Sequence, residues 1–218
     1  MEFSLSTSSV QAHGSDTCIM SLSYLPPIAF YQLMLKHKKV IFDIHENFHK
    51  QFYFNRCSIY GANGALKLSV PIKRNHKRTA LKDVSIFYEQ NWKTIHWRSI
   101  EAAYRRSPFF EYYEEDFRNI YLGGQVEKLM DWNLKLLGLV NKLLDVQIDI
   151  SFTESYEKVH ENIDDYRTLN VPKAESVPAL KEIKYRQVFE EKYGFIPNLS
   201  TIDLLFCEGH YARQMLLG

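Results

Sequence analysis

Apolar and polar positions alternate along this chain with two different periods. From Cys18 to Ser23 (CIMSLS) apolar residues dominate a short run. This predicts a buried strand. Tyr24-Leu25-Pro26-Pro27 interrupts the run, and a proline suits the first turn of a helix, where its missing N–H costs nothing. IAFYQLML supplies the apolar body of that helix and Lys36-His37-Lys38-Lys39 closes it. Basic residues there complement the helix dipole. Val40 to Ile44 (VIFDI) is the next expected strand. Strand, short helix, strand predicts a parallel βαβ unit with a right-handed crossover.

Beyond Gln51 the period is two. FYFNRCSIY and ALKLSVPI flank Gly61-Ala62-Asn63-Gly64, with Leu66, Leu68 and Val70 alternating with Lys67 and Ser69. An Asn-Gly turn between such runs predicts a β-hairpin. A basic loop, Lys73 to Arg78, follows, and the β-branched and aromatic content of Asp83 to Tyr88 predicts another strand. The period then changes to that of helices. One is expected from Trp92 to about Arg105, capped by Asn91. A second should start at Ser107-Pro108 and run to about Tyr121, and a third should span Gln125 to Leu144. Val126, Met130, Asn133, Leu137, Val140 and Leu144 form one stripe of the third. Gln147 to Phe152 alternates again as a strand. The charge-rich segment 154–178 reads as a long loop, and Ser200 is placed to cap a final helix that Gly209 ends.

The expected fold class is therefore α/β: a mixed sheet with an early parallel βαβ unit, a β-hairpin and a central cluster of helices. Residues 1–16 read as a polar, disordered leader, without the charged and apolar regions of a signal peptide. Residues 17–218 read as a single domain. At 218 residues, with 45% apolar side chains and 14 Tyr, 14 Phe and 3 Trp, the chain can bury a core without disulfides. No apolar run reaches the length of a membrane span. A net charge of +1 lacks the basic excess of a nucleic-acid binder. Cys18, Cys57 and Cys207 are far apart and form no C-x-x-C pair. This fits a reducing, cytoplasmic setting and gives no metal cage. The histidines show no H-E-x-x-H or H-x-H spacing, so no metal ligand set is expected.

Candidate chemistry begins where the first two strands end, because ligands of open α/β sheets sit beyond the carboxyl ends of the strands. Ser23 and Tyr24 follow the first strand, and Asp43, His45 and Glu46 end the second. The helix after the two prolines should direct its N-terminus to that edge and favour an anion there. The competing reading makes Asp43 and His45 capping or surface residues. No Gly-rich phosphate loop is present. His96 falls on the apolar side of its helix, opposite Thr94, Arg98, Glu101 and Arg105 and among Trp92, Ile95, Ser99, Ile100 and Ala103. An imidazole there is either a satisfied core residue or a proton-transfer group. Asn55-Arg56 could hold a carboxylate or phosphate at the sheet edge, or make an ordinary salt bridge. The basic loop, with Lys73 and Arg74, could steer an anionic substrate or be merely solvated. Cys207 and His210 are three residues apart, and no third group is in place to orient a catalytic pair.

The stretches SLSYLPPIAFYQLM, VIFDIHENFHKQFYFNRCSIYGANGALKLSVPI, QNWKTIHWRSIEAAYRRSPFFEYYEEDF and PNLSTIDLLFCEG together resemble the WbqC-like family of bacterial proteins. Asn55-Arg56, Trp92, His96, Tyr104 and Pro108-Phe109 stand in that family's places, and the last stretch resembles its Bacteroidetes-type branch. The resemblance implies a setting in polysaccharide and O-antigen biosynthesis and adds weight to His96 and Arg56. Two departures are visible. Ser21-Leu22-Ser23 stands where many members have His-Gln-Pro. Cys207 and His210 stand where near members often have Asn and Pro.

The reading drawn from residues and resemblance is a transferase-like enzyme acting on an activated, nucleotide-linked sugar or its amino or acyl donor. Arg56, Asn55, Ser23, Tyr24, Lys73 and Arg74 would bind a small anionic or sugar-derived ligand. His96 would transfer the proton, with Asp43 or His45 orienting it or the substrate. No cofactor is identified. The alternative is a non-catalytic binding or assembly protein of the same pathway.

Overall fold

A computed structural model describes residues 15–49, 52–73, 78–160, 162–169 and 180–218. The expected leader, but for Ser15 and Asp16, lies outside these residues, as do Arg74 and most of the basic loop. The first strand, β1 (Thr17–Met20), and the second, β2 (Lys39–Phe42), are parallel and in register from Thr17↔Lys39 to Met20↔Phe42. Helix α1 (Ile28–Leu35) joins them. Strand β5 (Asp149–Phe152) adds in parallel to the far side of β2. A two-residue strand, β6 (Asp164–Asp165), adds in parallel to β1. The order is β5-β2-β1-β6. Strand β1 is therefore central and its Cys18, Ile19 and Met20 are wholly buried. A parallel strand covered on both faces is apolar throughout rather than alternating.

The hairpin is separate. β3 (Arg56–Gly61) and β4 (Gly64–Ser69) pair antiparallel from Arg56↔Ser69 to Gly61↔Gly64. The parallel and antiparallel pairings expected of one mixed sheet are thus divided between two sheets. Leu68 and Val70 face the core as the alternation predicts, but Leu66 is exposed near the turn. The strand expected over Asp83 to Tyr88 is instead a 3-10 turn, Leu81–Asp83, followed by isolated bridges, Ile72↔Ile86 and Ser85↔Lys128. Its backbone is satisfied on both sides: Phe87 N–H donates to Pro71 O, and Ile86 N–H to Glu127 O. Neither neighbour runs alongside long enough to make a ladder.

Three helices follow: α2 (Trp92–Tyr104), α3 (Phe110–Leu122) and α4 (Leu129–Leu143). The caps differ from expectation. Asn91 makes no side-chain cap. Ser107 Oγ donates back to Tyr104 O, 2.7 Å away, so α3 starts at Phe110 rather than Pro108. The end of the chain forms α5 (Glu190–Tyr193), α6 (Thr201–Glu208) and α7 (Tyr211–Leu217), with Gly209 at φ +57° between the last two. Ser200 Oγ, expected as a cap, donates to Leu25 O at 2.9 Å, so α6 is tied to the loop after β1. Asp203 of α6 is fully buried and accepts from Tyr104 Oη at 2.6 Å and Tyr185 Oη at 2.5 Å. These bonds join α2, the 185–187 segment and the final helices.

Candidate functional site

The carboxyl ends of β1 and β2 meet a polar cluster. Asp43 directly follows β2 and has no solvent exposure. Its Oδ1 accepts the N–H of His45 and of Glu46, each at 3.0 Å, and the hydroxyl of Thr153 at 3.1 Å. A side-chain acceptor that takes the N–H groups two and three residues on folds the chain back locally. Its Oδ2 takes Arg167 Nη1 at 2.6 Å. Arg167 spends its remaining donors on Asp165, through Nε and Nη2, and on the carbonyls of Glu157 and Lys158. All five guanidinium N–H groups are used. Burial acts to raise Asp165, but the Arg167 guanidinium prevails and holds its carboxyl below the usual range.

The turn that Asp43 holds delivers Glu46 to the wall of a cavity of about 350 Å³. His49, Phe52, Tyr156, Asp165 and Arg167 also line it. Glu46 is 6% exposed, and its Oε1 has no hydrogen-bond partner among the described residues. Burial pushes its carboxyl up to about 8, with the Asp43 carboxylate adding to the rise. The Ser21 hydroxyl lies close enough to oppose that shift. Even so, Ser21 Oγ, wholly buried, makes no well-aligned hydrogen bond.

His45 points elsewhere. Its Nε2 faces Lys82 Nζ at 2.9 Å and its Nδ1 faces Thr153 Oγ1 at 3.2 Å. A lysine donates only, so Nδ1 carries the proton and donates to Thr153. His45 thus supports Asp43 through Thr153. Ser23 is buried beside Ser21, whose carbonyl its hydroxyl faces at 3.4 Å. The N-terminus of α1 is occupied: Ile28 N–H donates to Leu199 O and Ala29 N–H to Asn198 Oδ1. The expected anion site at this helix is therefore filled by the chain's own 198–199 segment.

His96 lies in the interior. Its Nδ1 is 2.9 Å from Tyr24 Oη, and Tyr24 Oη is 2.6 Å from Tyr121 Oη. Trp92 packs edge-on against the imidazole. Burial pushes His96 down to about 4, and the Ser69 carbonyl acts in the opposite direction. Ile95, placed on the apolar side by the helical wheel, is 59% exposed, because α2 buries the flank of Lys93, His96, Trp97 and Ile100 instead. Asn55 is buried, with Nδ2 donating to Val70 O at 2.8 Å. Arg56 starts β3, half-buried, opposite Ser69. Neither His96 nor Arg56 lines the sheet-edge cavity. Lys73 is exposed after β4, and Arg74 lies outside the described residues.

The structure therefore brings Asp43, Ser23 and, through Thr153, His45 to the sheet edge, and gathers Tyr24 and His96 in a second, interior cluster. Sequence reasoning missed Arg167, and it placed Glu46 at the strand end without giving it a role. Position at the end of a strand was a signal for Glu46. Arg167 sits in a charge-rich segment with no periodicity, so nothing local marked it. Cys207 is buried in α6, and burial pushes its thiol up. His210 is exposed and stacks on Tyr211. Among the described residues no cluster of His, Cys, Asp and Glu could hold a metal ion, and no helix is long and apolar enough to cross a membrane.

A parallel sheet flanked by helices, with a polar cavity beyond the carboxyl ends of its strands, defines an α/β protein of the open-sheet kind. Residues 23–179 match the model of the WbqC-like protein family. The match spans most of the chain, and the chain belongs to that family. No match was found among curated proteins or solved structures.

Proposed function

We propose that this protein is a transferase-like enzyme acting on a sugar-derived substrate in surface-polysaccharide biosynthesis, with the sheet-edge cavity as its substrate site and Glu46 as its proton-transfer group. The pathway follows from what membership of the family implies. The observation that carries the chemistry is Glu46 itself: a buried carboxyl, one oxygen unpartnered, on the wall of a cavity at the strand ends. A carboxyl held near neutrality by burial can both give and take a proton at working pH. In transfer to a hydroxyl or amine, its ionised form takes the proton that the nucleophile sheds and returns it to the leaving group. Phe52 and Tyr156 offer apolar surface for the ring of a sugar, in a lining that is otherwise polar and suits its hydroxyl groups. Asp43 and Arg167 set the frame, and Thr153 and His45 brace Asp43. His96 is given a positioning role, because it holds Tyr24 in the loop between β1 and α1. Anion binding by Arg56, Asn55 and Lys73 is not part of this reading, since the cavity is built without them.

The test is a thermal-shift screen of nucleotide sugars and of acyl and amino donors, followed by turnover assays on the hits. Glu46→Gln should keep the fold and lose roughly 10²–10⁴ in turnover, the usual scale for a general acid or base. Hits whose binding and conversion are indifferent to Glu46→Gln would remove the enzyme assignment and leave a binding or assembly protein.

A further inference from the structure

Resting on that reading of the cavity, we propose that the substrate is an amino sugar and that its primary ammonium group is the moiety seated at Glu46. Four carboxyl and guanidinium groups meet there, and three of them are already spent. Asp43 and Asp165 both hold Arg167, whose five N–H groups are all donated within the chain. Arg167 therefore has no fork left for a phosphate or carboxylate, and an anion beside Glu46 would also face the carboxylates of Asp43 and Asp165. Glu46 is the carboxyl left over: the residue is 6% exposed, and its Oε1 lacks a partner among the described residues.

Ser21 Oγ, with no exposure, adjoins Glu46 and acts toward its carboxyl as a donor. The Glu46 oxygen on the cavity wall still asks for a donor, and an ammonium brings three N–H groups on one atom. It also offsets the charge whose burial disfavours ionised Glu46, which a sugar hydroxyl cannot do. Lys158 and His49 also line the cavity but are exposed, whereas Glu46 is buried. Phe52 and Tyr156, which also line the cavity, are left for the apolar face of the sugar ring.

The experiment is an NMR titration of the full chain at millimolar concentrations with glucosamine, N-acetylglucosamine and glucose. The three share a ring and differ at one substituent. Glucosamine should shift signals of residues lining the cavity and bind roughly tenfold more tightly than the other two, as a charge-assisted contact gives. Glu46→Gln should remove that preference, and Glu46→Asp, which keeps the charge, should retain part of it and guard against a folding artefact. Equal binding of all three sugars in the cavity would overturn the ammonium and leave the substrate site standing. So would a glucosamine preference that survives Glu46→Gln. Binding away from the cavity, or binding by none of the three, would overturn the ammonium and the cavity together.

Discussion

Two buried residues contribute opposite pH dependences to the stability of this protein. Glu46 holds its proton in the fold up to about 8, against 4.5 for an ordinary glutamate. The native state binds the proton more tightly than the unfolded chain does. Its contribution to stability is therefore complete below pH 4.5 and is lost as pH rises toward about 8. His96 is held neutral down to about 4, against 6.5 ordinarily. Its contribution is complete above pH 6.5 and is lost as pH falls toward about 4. Urea midpoints across this range separate the two. Glu46→Gln should flatten the alkaline decline, and be more stable than the parent at about pH 9. His96→Gln, which can still bond Tyr24, should flatten the acid decline and leave the alkaline one unchanged. Parallel pH profiles of parent and variant would show that the residue concerned is not buried as described.

At the scale of elements, close approach decides what the helical period cannot. Gly209 separates α6 from α7 at φ +57°, and a Cβ there would lie 2.4 Å from Cδ1 of Phe109. Phe109 N–H also donates to Phe206 O, so the start of α3 is pinned against α6. Gly209→Ala pays twice, once for a positive-φ backbone with ψ −128° and once for the clash, and should cost about 2–6 kcal/mol. Gly194→Ala is the control. Its φ is +75° and its ψ 176°, but nothing lies within 4 Å of the added Cβ, so only the backbone cost of about 1–3 kcal/mol remains. Thermal melts of the two variants should differ clearly. If Phe109→Leu restores nothing in the Gly209→Ala background, the clash is not the cause.

For the whole molecule, one buried ion pair joins residues 124 apart in the chain. Arg167 reaches from the segment after β6 to Asp43 at the end of β2. Arg167→Ala leaves a fully buried carboxylate without its cation and should cost about 3–5 kcal/mol. Adding Asp43→Asn removes the uncompensated charge and should recover part of the loss. Arg167→Lys should resemble the alanine variant, because an ammonium cannot serve two carboxylates and two carbonyls from one planar fork. An unchanged melting temperature in Arg167→Ala would show that the 157–167 segment is not anchored in solution. The same contact gives the cavity one of its walls, so Arg167→Ala should also weaken ligand binding.

The sequence by itself determined the parallel β1–α1–β2 unit, the hairpin and the three central helices, because each depends on a local period and on nearby Pro, Asn and Gly. It also determined that His96 would be buried, from its place on the helix. Tertiary structure alone decided the rest. β6 is two aspartates held by backbone bonds to β1, and no propensity announces such a strand. Ser200 chose a partner across the fold over the cap expected of it, and the N-terminus of α1 took the 198–199 segment in place of the anion expected there. The pairing of Arg167 with Asp43, and the raised carboxyl of Glu46, arise from distances and burial between segments remote in sequence. Electrostatics follows those distances, and the hydrophobic pattern does not record them.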